Sequence, residues 1–226
     1  MMLAGLLLLT IGAVDLVRQF VPRSRRWIGY LITLAVLVAV AAVGDAVFLM
    51  LVAIAGGAVW LLTMTDGSRA GFWPAVALGG ASVVAVVALG DRHPGGLALE
   101  SPFGPVSLDL AILVLGVLVF LLESGNVVVR AALAGEHTWK PSPTEGGFKG
   151  GRLIGPLERV LAFLLMLVPA YSLLAALLAA KGIVRFPEIS KDGETGARAE
   201  YFLVGSLVSW AMALGGALLV WWAANV

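Results

Sequence analysis

Long apolar runs separated by short polar breaks dominate the chain. Seven stretches read as helices that cross a bilayer: 2–20, 27–43, 46–64, 72–89, 107–129, 157–180 and 201–224. A crossing helix needs about 20 largely apolar residues to bridge about 30 Å of hydrocarbon. The second and third stretches are parted only by Gly44 and Asp45, which predicts a tight hairpin, because one helix over both would far exceed the bilayer. Asp66-Gly67-Ser68-Arg69 predicts a turn, and Gly90 to Gly104 predicts a loop. The expected fold class is therefore all-α, a single polytopic transmembrane helix bundle over residues 1–226 with seven crossings.

Composition agrees. Of 226 residues, 60% are hydrophobic and 13% charged, against about 25% charged in a soluble domain. A soluble globule of this size has to wet its exterior, and this chain lacks the charge to do so. The net charge of +1 supplies no field that would recruit nucleic acid. With no cysteine there is no disulfide, thiol nucleophile or thiolate metal site. The two histidines, His93 and His137, fall in different loops, so neither a metal nor a cofactor is expected. The bias toward Ala, Val, Gly, Leu and Arg suits a high-GC bacterium.

Lys and Arg set orientation. The apolar N-terminal run is followed, not preceded, by Arg18, Arg23, Arg25 and Arg26, the reverse of a cleavable signal peptide. It reads as a retained first helix with its N-terminus outside. Seven straight crossings then put ten basic residues on the cytoplasmic side and five on the external side, with the C-terminus cytoplasmic. An inner-membrane location follows as the expectation. The external five include Lys181, Arg185, Lys191 and Arg198, matched by Glu188, Asp192, Glu194 and Glu200.

Ionisable groups inside a span are costly and mark candidate sites. On the fifth helix Glu123, Asn126 and Arg130 share one face, at three- and seven-residue spacings. Glu123 lies about 10 Å deeper than Arg130, at 1.5 Å per residue, so a direct ion pair is not expected on a straight helix. On the first helix Asp15 sits one turn from Arg18, close enough to be neutralised by it. Asp15, Glu123, Asn126 and Arg130 all fall in the cytoplasmic half. In Gly155-Pro156-Leu157-Glu158-Arg159 the proline suits the first helical position and Glu158 the capping position. Arg159 at a helix N-terminus is unfavourable unless it meets an acid, a phosphate or a lipid headgroup. Lys181, 23 residues beyond Glu158, would lie about 34 Å away on a continuous helix, marking the opposite membrane surface.

Other features have plainer readings. Pro169 interrupts the sixth helix and frees the carbonyl of Leu165. Gly205, Ser209, Ala213 and Ala217 form a small-residue stripe that suits close packing within the bundle. The glycine-rich run 146–151 lacks the Lys-Ser/Thr ending of a phosphate loop and reads as a linker. Trp27, Trp60, Trp73, Trp210, Trp221 and Trp222 read as interfacial anchors.

The final third resembles the C-terminal part of a group of uncharacterised bacterial multipass inner-membrane proteins, known as a domain of unknown function. The resemblance rests on Gly151-Arg152-Leu153-Ile154-Gly155-Pro156-Leu157-Glu158-Arg159, then Ala179-Ala180-Lys181 with Arg185-Phe186, then Ala199-Glu200-Tyr201 with Gly205 and Ser209. Asn126 and Arg130, in Asn-Val-Val-Val-Arg, resemble a related pattern. It covers about residues 150–210 and implies a bacterial inner-membrane protein, with no activity attached.

The expected function is to bind or translocate a small ion, metabolite or lipid headgroup in a cytoplasm-facing polar pocket. Its candidate residues are Asp15, Glu123, Asn126, Arg130, Glu158 and Arg159. Glu123 would accept a cation or proton, Asn126 would orient the ligand, and Arg130 and Arg159 would hold an anionic group. The alternative is a non-catalytic membrane subunit or scaffold whose polar residues pair internally or with a membrane-protein partner or second copy. No nucleophile–base cluster or paired acidic motif points to an enzyme.

Overall fold

The computed structural model describes residues 1–64, 71–89, 98–101, 104–135, 151–189 and 196–225. The Asp66–Arg69 turn, His93, His137 and the glycine-rich run through Gly150 lie outside the described residues. The described residues are all-α apart from one short antiparallel hairpin.

The helices are α1 (Met2–Phe20), α2 (Arg26–Val43), α3 (Val47–Thr63), α4 (Trp73–Leu89), α5 (Leu108–Leu122), α6 (Ser124–Gly135), α7 (Gly151–Leu167), α8 (Tyr171–Ile189) and α9 (Ala197–Asn225). A single 3₁₀ turn, Arg23–Arg25, links α1 to α2. Strands β1 (Ala98–Ser101) and β2 (Gly104–Ser107) pair with Leu99 opposite Val106. Ser107 then caps α5, its Oγ accepting from the Leu110 amide at 3.3 Å.

α1 is the central helix and packs on α2, α3, α4 and α5. Its crossing with α5 is glycine-lined. A Cβ on Gly116 would lie 2.5 Å from the Gly5 carbonyl oxygen, and one on Gly12 would lie 2.8 Å from the Phe120 nitrogen. Small residues let two backbones approach in this way. The helix ends alternate as an up-and-down arrangement requires. Gly44, at the end of α2, adjoins Met2 and Leu108, whereas Arg18 donates to the Met64 carbonyl at 3.2 Å at the other end. Outward faces are apolar: Leu31, Phe48, Leu62 and Val84 are all exposed. The stripe Ser209, Ala213 and Ala217 on α9 is buried within the bundle, as its spacing predicts.

Among the described residues, three helices are long and apolar enough to cross a membrane: Met2–Phe20, Arg23–Val43 and Ala199–Asn225. The α5–α6 pair makes a fourth if its two halves count as one span.

Several sequence expectations change here. The fifth stretch is not one straight helix: it breaks at Glu123 and bends by 48°. The break is followed at once by Ser124-Gly125, a pair of poor helix formers of the kind found at kinks. The sixth stretch is not a single helix. α7 ends at Leu167, Pro169 stands in the turn, and α8 runs back alongside. The Leu165 carbonyl freed by the proline accepts from the Ala170 amide at 2.9 Å. Glu158 and Lys181, expected at opposite surfaces, are joined by a 2.5 Å contact between Oε2 and Nζ. Lys181 also sits 5.7 Å over the Trp210 ring. Pro156 is inside α7 rather than at its first position, so Glu158 is an ion-pair partner and not a cap.

Candidate functional site

Two polar features meet where α5 breaks. The first is built on Asp15, which is 2% exposed. Its Oδ2 accepts from Trp60 Nε1 at 3.0 Å and from Ser124 Oγ at 2.6 Å. One carboxylate thus ties α1 to α3 and to the first residue of α6. Its other oxygen, Oδ1, is buried and has no hydrogen-bond partner among the described residues. Trp60 is therefore not an interfacial anchor: it is 3% exposed, donates to Asp15, and lies edge-on to Phe120 at 5.9 Å.

The second feature is Arg159, 2% exposed on α7. Its guanidinium enters the break. Nε donates to the Leu121 carbonyl at 2.8 Å and Nη2 to the Leu122 carbonyl at 3.4 Å, both released by the end of α5. Nη2 also donates to Asn126 Oδ1 at 2.6 Å, and Nη1 to Ser209 Oγ at 3.4 Å. Gly125 makes room, since a Cβ there would stand 2.6 Å from Arg159 Nε. The planar five-donor fork of arginine suits this divergent set of acceptors. The partner that Arg159 needs is the carbonyl end of a broken helix, not an acid or a phosphate.

Between these features and the surface lies a cavity of about 250 Å³. α1 contributes Asp15, Arg18 and Gln19, the 3₁₀ turn Arg23, α2 Arg26, the break Glu123, and α6 Val127 and Arg130. Four guanidinium groups face two carboxylates, an excess of two positive charges. Arg130 lies 3.8 Å from Glu123, its side chain 57% exposed against 6% for the carboxylate. The bend and the length of the arginine side chain close the gap that a straight helix would leave. Asn126 Nδ2 donates to Glu123 Oε2 at 3.2 Å, so one amide connects the Arg159 clamp to the acid of the cavity.

Of the six sequence candidates, Asp15, Glu123 and Arg130 line the cavity. Asn126 stands behind it, Arg159 serves the helix break, and Glu158 pairs with Lys181 away from it. Sequence reasoning used Arg23 and Arg26 only as topology markers and read Arg18 as a topology marker and the neutraliser of Asp15. The signal for all three was density: four arginines within nine residues, one helical turn from a buried aspartate.

Comparison of the chain with protein-family models, with curated proteins and with solved structures gives no match.

Proposed function

We propose that this is a multipass membrane protein that binds a small anionic group in the arginine-lined cavity at its cytoplasmic face. The observation that carries the reading is the excess of guanidinium over carboxylate in that cavity. Arginine recognises phosphate and carboxylate in a bidentate way. Glu123 and Asp15 then serve as orienting groups, holding guanidinium groups or accepting from a hydroxyl of the ligand.

The topology supporting this is six crossings and one hairpin. α1, α2, α3, α4, the bent α5–α6 pair and α9 cross, while α7 and α8 enter and leave on the same face. At 1.5 Å per residue the 17-residue helices α3 and α4 reach about 26 Å, at the short end for a span. Folding α7–α8 back moves Lys181, Arg185, Lys191 and Arg198 to the side of the other basic segments. Every Lys and Arg among the described residues then lies on one side. That is a far stronger positive-inside bias than seven straight crossings give, and it puts both chain ends on the external side. A bacterial inner membrane remains the proposed location, in line with the sequence resemblance.

The chain has no cysteine, so single cysteines report topology directly. Ser24→Cys and Phe186→Cys should react with an impermeant maleimide only after cells are opened, and Asp45→Cys should react on intact cells. Labelling of Phe186→Cys from outside would return α7–α8 to a single crossing.

Binding is tested with the purified protein in a neutral detergent at constant ionic strength. Inorganic phosphate or glycerol phosphate should raise its melting temperature where chloride does not, because a ligand that binds only the folded state stabilises it. A site at about 100 times its Kd gives about 2.7 kcal/mol. The double variant Arg23→Gln/Arg26→Gln should lose that response while melting like the parent without ligand. Equal responses from parent and double variant would remove the cavity as the binding site.

A further inference from the structure

A second hollow, about 190 Å³, lies on the outer face of α1, α2 and α3. It is lined by Thr10 and Val14, by Tyr30, Leu34 and Leu37, and by the α3 segment around Ala58. Its lining is almost wholly apolar, and the Thr10 hydroxyl is engaged within its own helix, donating to the Leu6 carbonyl at 2.6 Å. Such a groove asks for hydrocarbon.

Its position relative to the arginine cavity decides which hydrocarbon. Thr10, Val14 and Arg18 succeed one another at four-residue spacing on α1, as do Arg26, Tyr30 and Leu34 on α2. Residues at that spacing share one helix face. The groove and the cavity are therefore the deep and shallow parts of one stripe running along the α1–α2 pair. From Thr10 to Arg18 the rise is about 12 Å, within the roughly 15 Å of one leaflet's hydrocarbon. Exposed Phe20 and Trp27 flank the arginine turn, at the level where aromatic residues mark the headgroup region. A ligand that fills both parts has an anionic head, no compensating cation, and at least one long acyl chain.

We infer that the occupant is an anionic phospholipid of the cytoplasmic leaflet, its phosphate among Arg18, Arg23 and Arg26 and one acyl chain in the α1–α2–α3 groove. This rests on the anion-binding reading above and narrows it to a membrane lipid. Soluble phosphate matches the head alone and leaves the groove unexplained. A zwitterionic phospholipid matches the groove but brings an ammonium group into an already cationic cavity, where like charges repel.

The test is native mass spectrometry of the full chain released from detergent, with added phosphatidylglycerol, phosphatidylcholine or glycerol phosphate. Phosphatidylglycerol should bind about tenfold or more tightly than either of the others, a difference of about 1.4 kcal/mol. Ala58→Trp fills the groove at an exposed position and should weaken phosphatidylglycerol about tenfold while leaving glycerol phosphate unchanged. Ala39→Trp, on the same helix pair but outside the groove, should change neither. Arg23→Gln/Arg26→Gln should weaken both anionic ligands.

Equal affinity for glycerol phosphate and phosphatidylglycerol, or no effect of Ala58→Trp, overturns the lipid assignment and leaves the anion pocket standing. Preference for phosphatidylcholine also overturns it. Absence of binding by both anionic ligands overturns the pocket as well.

Discussion

Arg159→Met is expected to be among the most destabilising single substitutions in the chain. Methionine fills much of the same space but offers no donor. The Leu121 carbonyl and Asn126 Oδ1, which accept from the guanidinium at 2.8 and 2.6 Å, would be left without it, the first in a buried and the second in a partly buried setting. A buried acceptor that loses its partner costs about 1–3 kcal/mol, so the two together cost roughly 2–6 kcal/mol. For a chain of this length each kcal/mol moves the midpoint by about 2–4 °C, which places the fall in apparent melting temperature at roughly 4–24 °C. Arg159→Lys keeps the charge but not the fork, and should fall between. Thermal unfolding in detergent, followed by tryptophan fluorescence, measures both. An Arg159→Met protein that melts with the parent would mean that the break in α5–α6 holds without its guanidinium, and the clamp would have to be abandoned.

That residue also shows where the sequence stopped speaking. Its oddity was legible: a cation near the expected start of a helix needs a partner. The identity of the partner was not, because the carbonyls of Leu121 and Leu122 become acceptors only if α5 ends there. Apolar runs count residues and carry no record of direction. A count therefore reads 107–129 and 157–180 as two straight helices, although the first breaks and the second doubles back. Local signals for both were present. Ser124-Gly125 directly follows Glu123, and proline restricts the residue before it as well as its own backbone. The charges held the strongest clue. Glu158 and Lys181 are a natural pair if the chain folds at Pro169, and two isolated charges if it does not.

Elsewhere the pattern was sufficient. The stretches 2–20, 27–43, 46–64 and 72–89 match α1 to α4 to within a residue at either end, because in each the polar break is sharp: arginines, Gly44-Asp45, or Asp66-Gly67. The common depth of Asp15, Glu123 and Arg130 was also readable, since depth along each helix follows from residue number alone; whether they share one cavity was not. Rotation about the helix axis does not, and it decides that Arg18 and Arg26 turn into the cavity and Trp60 turns inward to Asp15.

The same limit hid a close backbone-to-backbone crossing, which yields the second large effect. Gly5 and Gly12 are seven residues apart on α1; Gly116 of α5 faces Gly5, and the backbone of Val119 and Phe120 faces Gly12. Among so many glycines nothing in the sequence singles these out. In the structure a Cβ on Gly116 would meet the Gly5 carbonyl oxygen at 2.5 Å and the Leu9 nitrogen at 3.2 Å, both backbone atoms. A flexible side chain could swing aside; a helix backbone cannot. Gly116→Ala must push α1 from α5 and disturb every residue that the crossing sets in place, Asp15 included. Overpacking of this kind costs about 1–3 kcal/mol, and here it opposes the gain of up to about 1 kcal/mol that alanine brings to a helix interior. Gly79→Ala supplies the contrast, because nothing lies within 4 Å of a Cβ at that position. It should keep or raise the melting temperature on helix propensity alone, whereas Gly116→Ala should lower it and weaken phosphate binding, since Asp15 and Arg18 ride on the displaced helix. If the two variants prove equally stable, α1 and α5 do not approach as closely as described, and the cavity loses the crossing that positions it.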